Sequence, residues 1–324
     1  MTFFITVLRM LAACLITNSH YTGVYPLDII ASGGLIGDVI FFAVSGYCLY
    51  NVKGSFVPWY FKRLRRCYLP VLIITALYML LGFYSLSEHN ALWWYAYPTY
   101  YHFVASIVVL YVPYYVVMKV PFLRRNLNWI MLILAVWTVA IYAVFYDKSY
   151  YHIDTVREPF VRFLFFGSML LGAHFKQHDE LYRNRLTWWK PVCALVMTAV
   201  YFVSKILFTR YPSLAPLQIL NQVAIFALLY FILATFSALD SRLEKMPKWI
   251  KRAVSFVAAM TLEIYVVQYV LISLLRNVAP FPLNWLVLTA AILASAAVLH
   301  YLCKGISFLT AKAASAIFKK RVKE

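Results

Sequence analysis

Residues 127–146 form an unbroken apolar run of 20 residues without a charged side chain, Leu127-Asn-Trp-Ile-Met-Leu-Ile-Leu-Ala-Val-Trp-Thr-Val-Ala-Ile-Tyr-Ala-Val-Phe-Tyr146. A helix of about 20 largely apolar residues can cross the hydrocarbon core of a bilayer. The whole chain is comparably apolar, because 64% of its 324 residues are hydrophobic, against roughly 45–50% in soluble domains. A water-soluble core of this size cannot hide such an excess. The sequence therefore predicts an integral membrane protein.

Nine further stretches have a similar length and apolar composition, so about ten transmembrane helices are expected. They cover residues 2–19, 33–50, 69–87, 100–118, 160–175, 188–208, 216–237, 254–276 and 283–303. The first stretch has no basic leading region and no small-residue cleavage site, and we expect it to be retained as a span. No linker or soluble-domain-sized segment interrupts the series. We therefore expect an all-α polytopic helix bundle, a single integral membrane domain over residues 1–324.

The basic residues provide a separate prediction of orientation. The net charge is +18, from 30 Lys and Arg against 12 Asp and Glu. If the N-terminus is cytoplasmic, 23 basic residues lie in the gaps and tail predicted to be cytoplasmic, and four lie in the opposite gaps. The positive-inside bias then predicts that both ends are cytoplasmic. Since topology explains the basic residues, the expected partner is the lipid bilayer and not nucleic acid.

The five cysteines indicate neither disulfides nor a metal site. They are Cys14, Cys48, Cys67, Cys193 and Cys303, and their positions show no paired spacing. A free cysteine in an apolar run packs as a small hydrophobic residue. No metal-ligand spacing is present, and no metal is expected.

Five ionisable residues lie clearly within predicted spans. A charged side chain there costs about 2.5–3.5 kcal/mol on insertion scales and usually has a function. They are Arg9, Asp38, Arg162, Lys205 and Glu263. Glu263 must be neutral or paired, and Arg162 and Lys205 are its candidate partners, although Lys205 can also extend to the interface. His102, near the outer end of the fourth span, is a further candidate site residue.

Arg9 and His20 are the most informative pair. They are 11 residues apart, so on a helix their directions differ by about 20° and they stand about 16 Å apart along the axis. This spacing predicts a buried guanidinium and a titratable imidazole on one face of the first span. An elongated anionic molecule would suit such a face. The alternative is a structural salt bridge for Arg9 and an interfacial His20.

Asp38 opens the second span after the glycine-rich stretch Ser32-Gly-Gly-Leu-Ile-Gly-Asp38. Its carboxylate is predicted to lie at a depth similar to that of His20. It could orient the imidazole, as the acid does in a His–Asp pair, or it could neutralise Arg9. We favour the pairing with His20.

A basic, aromatic segment, Trp59-Tyr-Phe-Lys-Arg-Leu-Arg-Arg-Cys-Tyr-Leu-Pro70, is predicted to lie at the inner surface. Arg63 and Arg66 are about one helical turn apart and could hold one phosphate together. The segment could equally anchor lipid headgroups.

Together these motifs resemble the bacterial acyltransferase-3 family of integral membrane acyltransferases, which O-acylate surface glycans. The resemblance is strongest over residues 5–70, in Arg9-x10-His20, Gly33-Gly34, Gly37-Asp38-Val-Ile-Phe-Phe-Ala-Val-Ser-Gly-Tyr47 and Arg63-Leu-Arg-Arg66 followed by Pro70. Softer matches follow in Tyr101-His-Phe-Val104, Arg162-Phe-Leu-Phe-Phe-Gly167 and Thr261-Leu-Glu-Ile-Tyr-Val-Val-Gln268. Gln268 stands where many relatives have His, which argues against a catalytic role for that position.

The resemblance implies a multi-pass O-acyltransferase of the bacterial inner membrane. The expected donor is cytoplasmic acyl-CoA, with acetyl-CoA as the first candidate, and the expected acceptor is a hydroxyl group of an extracytoplasmic glycan. Arg63 and Arg66 would hold the phosphates of the donor, Arg9 would lie along its path, and His20, oriented by Asp38, would be the general base.

Three alternatives stay open from the sequence. The acyl group could first be transferred to a protein nucleophile. The chain could instead be a transporter or flippase of a lipid-linked glycan, although no internal inverted repeat is evident. It could also be a scaffold in a glycan-assembly complex. The oligomeric state cannot be predicted from these features.

Overall fold

The computed structural model describes residues 2–97 and 99–321, and this part of the chain is 77% helix without a strand. The all-α prediction is confirmed. Lys323, counted above among the basic residues of the tail, lies outside the described residues. Among the five cysteines, all are free thiols.

The described part of the chain forms fifteen α-helices joined by short connections. Their bounds are α1 Phe3–Ser19, α2 Gly34–Leu49, α3 Phe56–Leu80, α4 Ala91–Tyr95, α5 His102–Lys119, α6 Pro121–Arg125, α7 Leu127–Phe145, α8 Val161–Gln177, α9 Asp179–Tyr182, α10 Trp189–Arg210, α11 Ile219–Ala238, α12 Asp240–Glu244, α13 Lys248–Ala259, α14 Thr261–Leu275 and α15 Leu283–Arg321. Two 3-10 turns, Asp28–Ile30 and Pro212–Leu217, precede α2 and α11.

Each of the ten predicted spans coincides at least in part with a helix. In the described chain, six helical segments are long and apolar enough to cross a membrane. They are Asp28–Leu49, His102–Lys119, Leu127–Phe145, Trp189–Arg210, Ile219–Ala238 and Leu283–Thr310. A seventh results if α13 and α14, which meet at a bend of 69°, count as one broken span, and α1 is a shorter apolar helix. The chain is therefore a multi-pass membrane protein, and the total of ten and the orientation stay predictions.

Two helices differ in extent from the predicted spans. The basic segment and the third span are one helix, α3, which continues through Pro70 and ends at Leu80, where a left-handed turn at Gly82 (φ +78°) follows. The last helix, α15, has 39 residues, so it is about 58 Å long and exceeds the hydrocarbon core of about 30 Å.

The centre of the bundle is a close contact of α2 with α1 and α8, made at glycines. A Cβ on Gly37 would lie 2.8 Å from the carbonyl oxygen of Ala12 in α1. A Cβ on Gly172 of α8 would lie 1.8 Å from the carbonyl oxygen of Ala43 in α2. Small residues of this kind allow helix backbones to approach closely in membranes. Gly37, from the motif around Asp38, and Gly172 of α8 therefore set the spacing of three helices.

Hydrogen bonds hold α1 at both of its ends. At its start, the backbone N–H of Phe4 donates to Asp240 Oδ1 at 2.8 Å. At its end, the Asn18 amide donates to the carbonyl oxygens of Ile30 and Ser32 at 2.8 and 3.0 Å. The helix that carries Arg9 and His20 is thus fixed in position against the rest of the bundle.

Candidate functional site

A cavity of about 620 Å³ lies among α1, α2, α3, α5, α14 and α15. Six basic residues line it: Arg9, Lys62, Arg63, Arg65, Arg66 and Lys304. Among its described lining residues, the one carboxylate belongs to Glu263. The structure therefore brings the three predicted donor-binding residues, Arg9, Arg63 and Arg66, to one cavity with a strong positive charge.

The guanidinium groups of this cavity have few protein partners. Arg63 Nη1 donates to the carbonyl oxygen of Trp59 at 2.7 Å, and its guanidinium lies 4.1 Å from the centre of the Trp59 ring. Its Nε is buried without a hydrogen-bond partner in the described chain. Arg9 contacts Cys48 Sγ at 3.6 Å, and among the described residues no carboxylate forms an ion pair with it. The structural salt bridge considered for Arg9 is therefore absent from this part of the chain.

Glu263 pairs with His300, not with either partner considered from the sequence. Glu263 Oε1 and His300 Nδ1 are 2.8 Å apart, and both residues are largely buried. Arg162 donates to Ser106 instead, and Lys205 forms an ion pair with Asp154. Arg162 lies between α5 and α8, where Ser106 is its partner, and it does not line the cavity that Glu263 lines.

His300 was not among the site residues predicted from the sequence, although the signal was present. His300 is a titratable residue inside a predicted span, the same criterion that selected Glu263. It lines the cavity together with Cys303, Lys304 and Ser307, which follow it at helical spacing on one face of α15. The helix α15 therefore forms one wall of the site.

His102 and Arg162 lie apart from the cavity. Arg162 Nε is 3.4 Å from Ser106 Oγ on α5, and Arg162 interacts electrostatically with His102, the first residue of α5. These two candidates are thus near each other between α5 and α8. They do not contribute to the lining of the cavity.

The face of α1 beyond Arg9 borders a second, much smaller space. This space holds about 10 Å³, which is enough for about one water molecule. Ala13, Ile16 and Thr17 of α1 line it, together with Tyr265 of α14. The predicted face of α1 is therefore continuous from the large cavity, past the small space, towards His20.

His20 follows the last residue of α1 and packs against an aromatic side chain. Its ring centre is 4.9 Å from that of Tyr269, and the ring centres of Tyr269 and Tyr265 are 5.6 Å apart. Burial lowers the pKa of His20 from 6.5 to about 4, so the imidazole is neutral at neutral pH. A neutral imidazole is the form that can accept a proton.

Asp38 does not make the predicted contact with His20, nor the alternative contact with Arg9. In the described chain its buried carboxylate forms no hydrogen bond or ion pair with either residue, and its electrostatic neighbours include Tyr265 and Tyr269. Its carboxylate therefore interacts with tyrosines of α14, and not with the cation or the imidazole of α1.

Gln268 is fully buried on α14, and neither of its amide atoms has a hydrogen-bond partner among the described residues. It lines neither the large cavity nor the small space. The structure thus gives this position no contact with either part of the candidate site.

One family model, described as an acyltransferase domain of the acyltransferase-3 type, matches residues 3–303. Searches of the curated proteins and of the solved structures find no match. The matched range contains α1 to α14 and the part of α15 that lines the cavity.

Proposed function

Because the chain belongs to the acyltransferase-3 family and is a membrane acyltransferase, we propose that it transfers an acyl group, acetyl in the first instance, from acyl-CoA to a hydroxyl group of a glycan. We place the reaction in the bacterial inner membrane, with the donor on the cytoplasmic side and the acceptor on the other side. The observation that carries this proposal is the cavity lined by Arg9, Arg63 and Arg66.

The charge and size of the cavity support acyl-CoA as the donor. Coenzyme A carries a phosphomonoester and a diphosphate, and guanidinium groups bind phosphate oxygens with two parallel hydrogen bonds. Arg66 and the buried Nε of Arg63 have donors free for this purpose among the described contacts. A volume of about 620 Å³ lies within the range of about 300–1,000 Å³ that is usual for small-molecule sites.

The face of α1 supports a path from the donor to the base. In the proposal the phosphates stay near Arg63 and Arg66, and the pantetheine arm extends past Arg9 along α1. Arg9 and His20 are separated by about 16 Å of helix axis. An extended arm can cover such a distance, so a donor held at one end of α1 can present its thioester at the other end.

His20 is the proposed general base. Its neutral imidazole accepts the proton of the glycan hydroxyl as the oxygen attacks the thioester carbonyl carbon. The carbon–oxygen bond forms, the carbon–sulfur bond breaks, and the coenzyme A thiolate leaves with the electron pair. The imidazolium then returns its proton to the thiolate, which restores neutral His20. Asp38 contributes in this scheme only through Tyr265 and Tyr269, its electrostatic neighbours next to His20.

The test follows radiolabelled acetyl groups from acetyl-CoA into the glycan fraction of membranes that contain the protein. We expect label transfer by the parent protein, and a loss of about 10²- to 10⁴-fold in His20→Ala, the usual contribution of a general base. His89→Ala is the matched control, because His89 is exposed and stacks on Trp93 away from both spaces.

Each outcome bears on a different part of the proposal. Equal rates for His20→Ala and the parent would remove His20 as the base while the transferase assignment stands. If the parent moves unlabelled glycan across the membrane without incorporating label, the chain is a transporter and the proposal fails. If it does neither, only a scaffold function is left.

A further inference from the structure

The helix α13, Lys248–Ala259, differs in character from the predicted spans. It has 12 residues and is therefore about 18 Å long, which is too short to cross a hydrocarbon core of about 30 Å. It meets α14 at an angle of 69°. Because membrane-spanning helices are tilted by about 20° on average, α13 runs close to the membrane plane if α14 crosses the membrane. This geometry favours a position of α13 at the membrane surface.

One side of α13 packs on the bundle, and a second side exposes aromatic rings. Val254 and Ala258 are buried, and α13 contacts α1. Trp249 and Phe256 are 72% and 44% exposed. They are seven positions apart, so at 100° per residue their directions differ by about 20°. Large aromatic side chains on an exposed face are typical of a helix that lies between lipid headgroups and hydrocarbon.

A third side of α13 is basic and forms an open recess of about 470 Å³. Its described lining consists of Lys248, Lys251, Arg252, Ser255 and Phe256. Three of these five side chains are cations, one is a hydroxyl group, and one is a ring of the aromatic side. The recess therefore lies at the border between the basic side and the aromatic side of one helix.

Two of the three cations in the recess have no protein partner for their side chains. Lys251 Nζ donates to the carbonyl oxygen of Glu244 at 3.0 Å and lies 5.3 Å from the centre of the Phe3 ring. Among the described residues, the side chains of Lys248 and Arg252 form no hydrogen bond or ion pair, and no carboxylate lines the described recess. The unpaired positive charge is complementary to an anion.

We propose that this recess binds the headgroup of an anionic phospholipid from the surrounding bilayer. The lipid phosphate contacts Lys248 and Arg252, the Ser255 hydroxyl donates to a headgroup oxygen, and the lipid chains lie against Trp249 and Phe256. A soluble anion would use only the basic side of α13, whereas a phospholipid uses the basic and aromatic sides together. The inference goes beyond the acyl-transfer reaction, since the recess and the donor cavity share no described lining residue.

The test measures binding of phosphatidylglycerol and of phosphatidylcholine, with identical acyl chains, to the full-length protein in detergent by native mass spectrometry. Phosphatidylglycerol has a net negative charge and phosphatidylcholine has none, so the ratio of their dissociation constants reports headgroup recognition. We expect the parent to prefer phosphatidylglycerol at least tenfold. Lys248→Gln with Arg252→Gln should lose most of this preference, because each basic residue near an anionic lipid contributes about fivefold, or about 1 kcal/mol.

Two further variants separate the recess from other sources of lipid binding. Arg124→Gln with Arg125→Gln is the matched control, because it removes the same charge from α6 and neither residue lines the recess. It should keep the preference of the parent. Trp249→Ala should weaken binding of both lipids by a similar factor and leave their ratio unchanged, since the ring contacts the chains and not the headgroup.

Three results would each overturn the proposal. The first is equal affinity of the parent for the two lipids. The second is an equal loss of preference in the α6 control, which would assign the preference to overall charge. The third is displacement of phosphatidylglycerol by inorganic phosphate at the same concentration, which would indicate a site for soluble anions. None of these results would alter the transferase assignment, because no acyl transfer is measured.

Discussion

Two glutamines with identical burial have opposite environments. Gln268 and Gln218 are both fully buried. The Gln218 side chain accepts from the backbone N–H groups of His152 and Ile153 and donates to the carbonyl oxygen of Tyr150. Gln268 has no such partner for either amide atom in the described chain. A buried polar group without a partner costs about 1–3 kcal/mol, so the two positions should respond oppositely to the same substitution.

Gln268→Met should raise the free energy of unfolding by about 1–3 kcal/mol, because methionine keeps the shape and removes two unpartnered polar atoms. Gln218→Met should lower it by a similar amount, since it leaves three backbone groups without partners. Thermal unfolding of both variants in the same detergent provides the comparison. A lower Tm for Gln268→Met would mean that its amide has a partner that stabilises the fold.

At this scale the sequence predicted helices well and contacts between helices poorly. Residues 3–19 are helical as expected, so the axial spacing of Arg9 and His20 follows from the geometry of one helix, whereas their common face stays a prediction. The partners of Asp38 and Glu263 depend on how neighbouring helices are rotated about their axes. No single-helix pattern contains that rotation, so His300 was missed and the Asp38–His20 pair was wrong.

The helices pack through contacts that leave no room for a side chain. A Cβ on Gly46 of α2 would lie 2.0 Å from the carbonyl oxygen of Met169, and one on Gly172 would lie 1.8 Å from that of Ala43. Both contacts are between α2 and α8, so the two backbones touch along the crossing. Adding a methyl group there requires the helices to separate.

Gly172→Ala should therefore lower the free energy of unfolding by about 1–3 kcal/mol or more, as for other overpacked cores. The matched control is Gly305→Ala in α15, where no atom lies within 4 Å of an added Cβ. That change should stabilise the helix by roughly 0.5–1 kcal/mol, since alanine is the better helix former. Thermal unfolding of the two variants gives the measurement, and equal shifts would contradict the close crossing.

The sequence predicted which stretches form helices, because their apolar length is sufficient for a span. It did not predict where each helix bends or ends. The span predicted over residues 254–276 is two helices, α13 and α14, with a 69° bend between them. The separate segments predicted around Pro70 are one helix, α3. Hydropathy reports how apolar a stretch is, whereas bends and continuations depend on what neighbouring helices can pack against.

The candidate donor site is formed by several helices that come together only in the tertiary structure. Its cationic lining comes from α1, α3 and α15, and Arg65 of α3 donates to Thr310 of α15. Composition alone predicted the class of protein, and local motifs predicted three of the six basic residues. The assembly of those residues around one cavity needed the tertiary structure.

A ligand that bridges these helices should stabilise the entire fold. Coenzyme A at about 100 times its Kd should raise the free energy of unfolding by about 2.7 kcal/mol. The double variant Arg63→Ala with Arg66→Ala should lose most of that increase, because the phosphates lose their guanidinium partners. Arg124→Ala, whose guanidinium lies over the Tyr50 ring and does not line the cavity, should keep it. Thermal unfolding with and without coenzyme A measures the effect, and an unchanged shift in the double variant would exclude this phosphate site.

The hydrogen bond from Phe4 to Asp240 has a consequence for biosynthesis. The first helix to be synthesised, α1, can form this hydrogen bond only after about three-quarters of the chain has been translated. Until then α1 lies in the membrane without the hydrogen bond that fixes its start. The hydrogen bond between the hydroxyls of Tyr21 and Thr289 forms later still. A nascent chain released before α12 would therefore contain the arginine and the histidine without the contact that fixes the start of their helix.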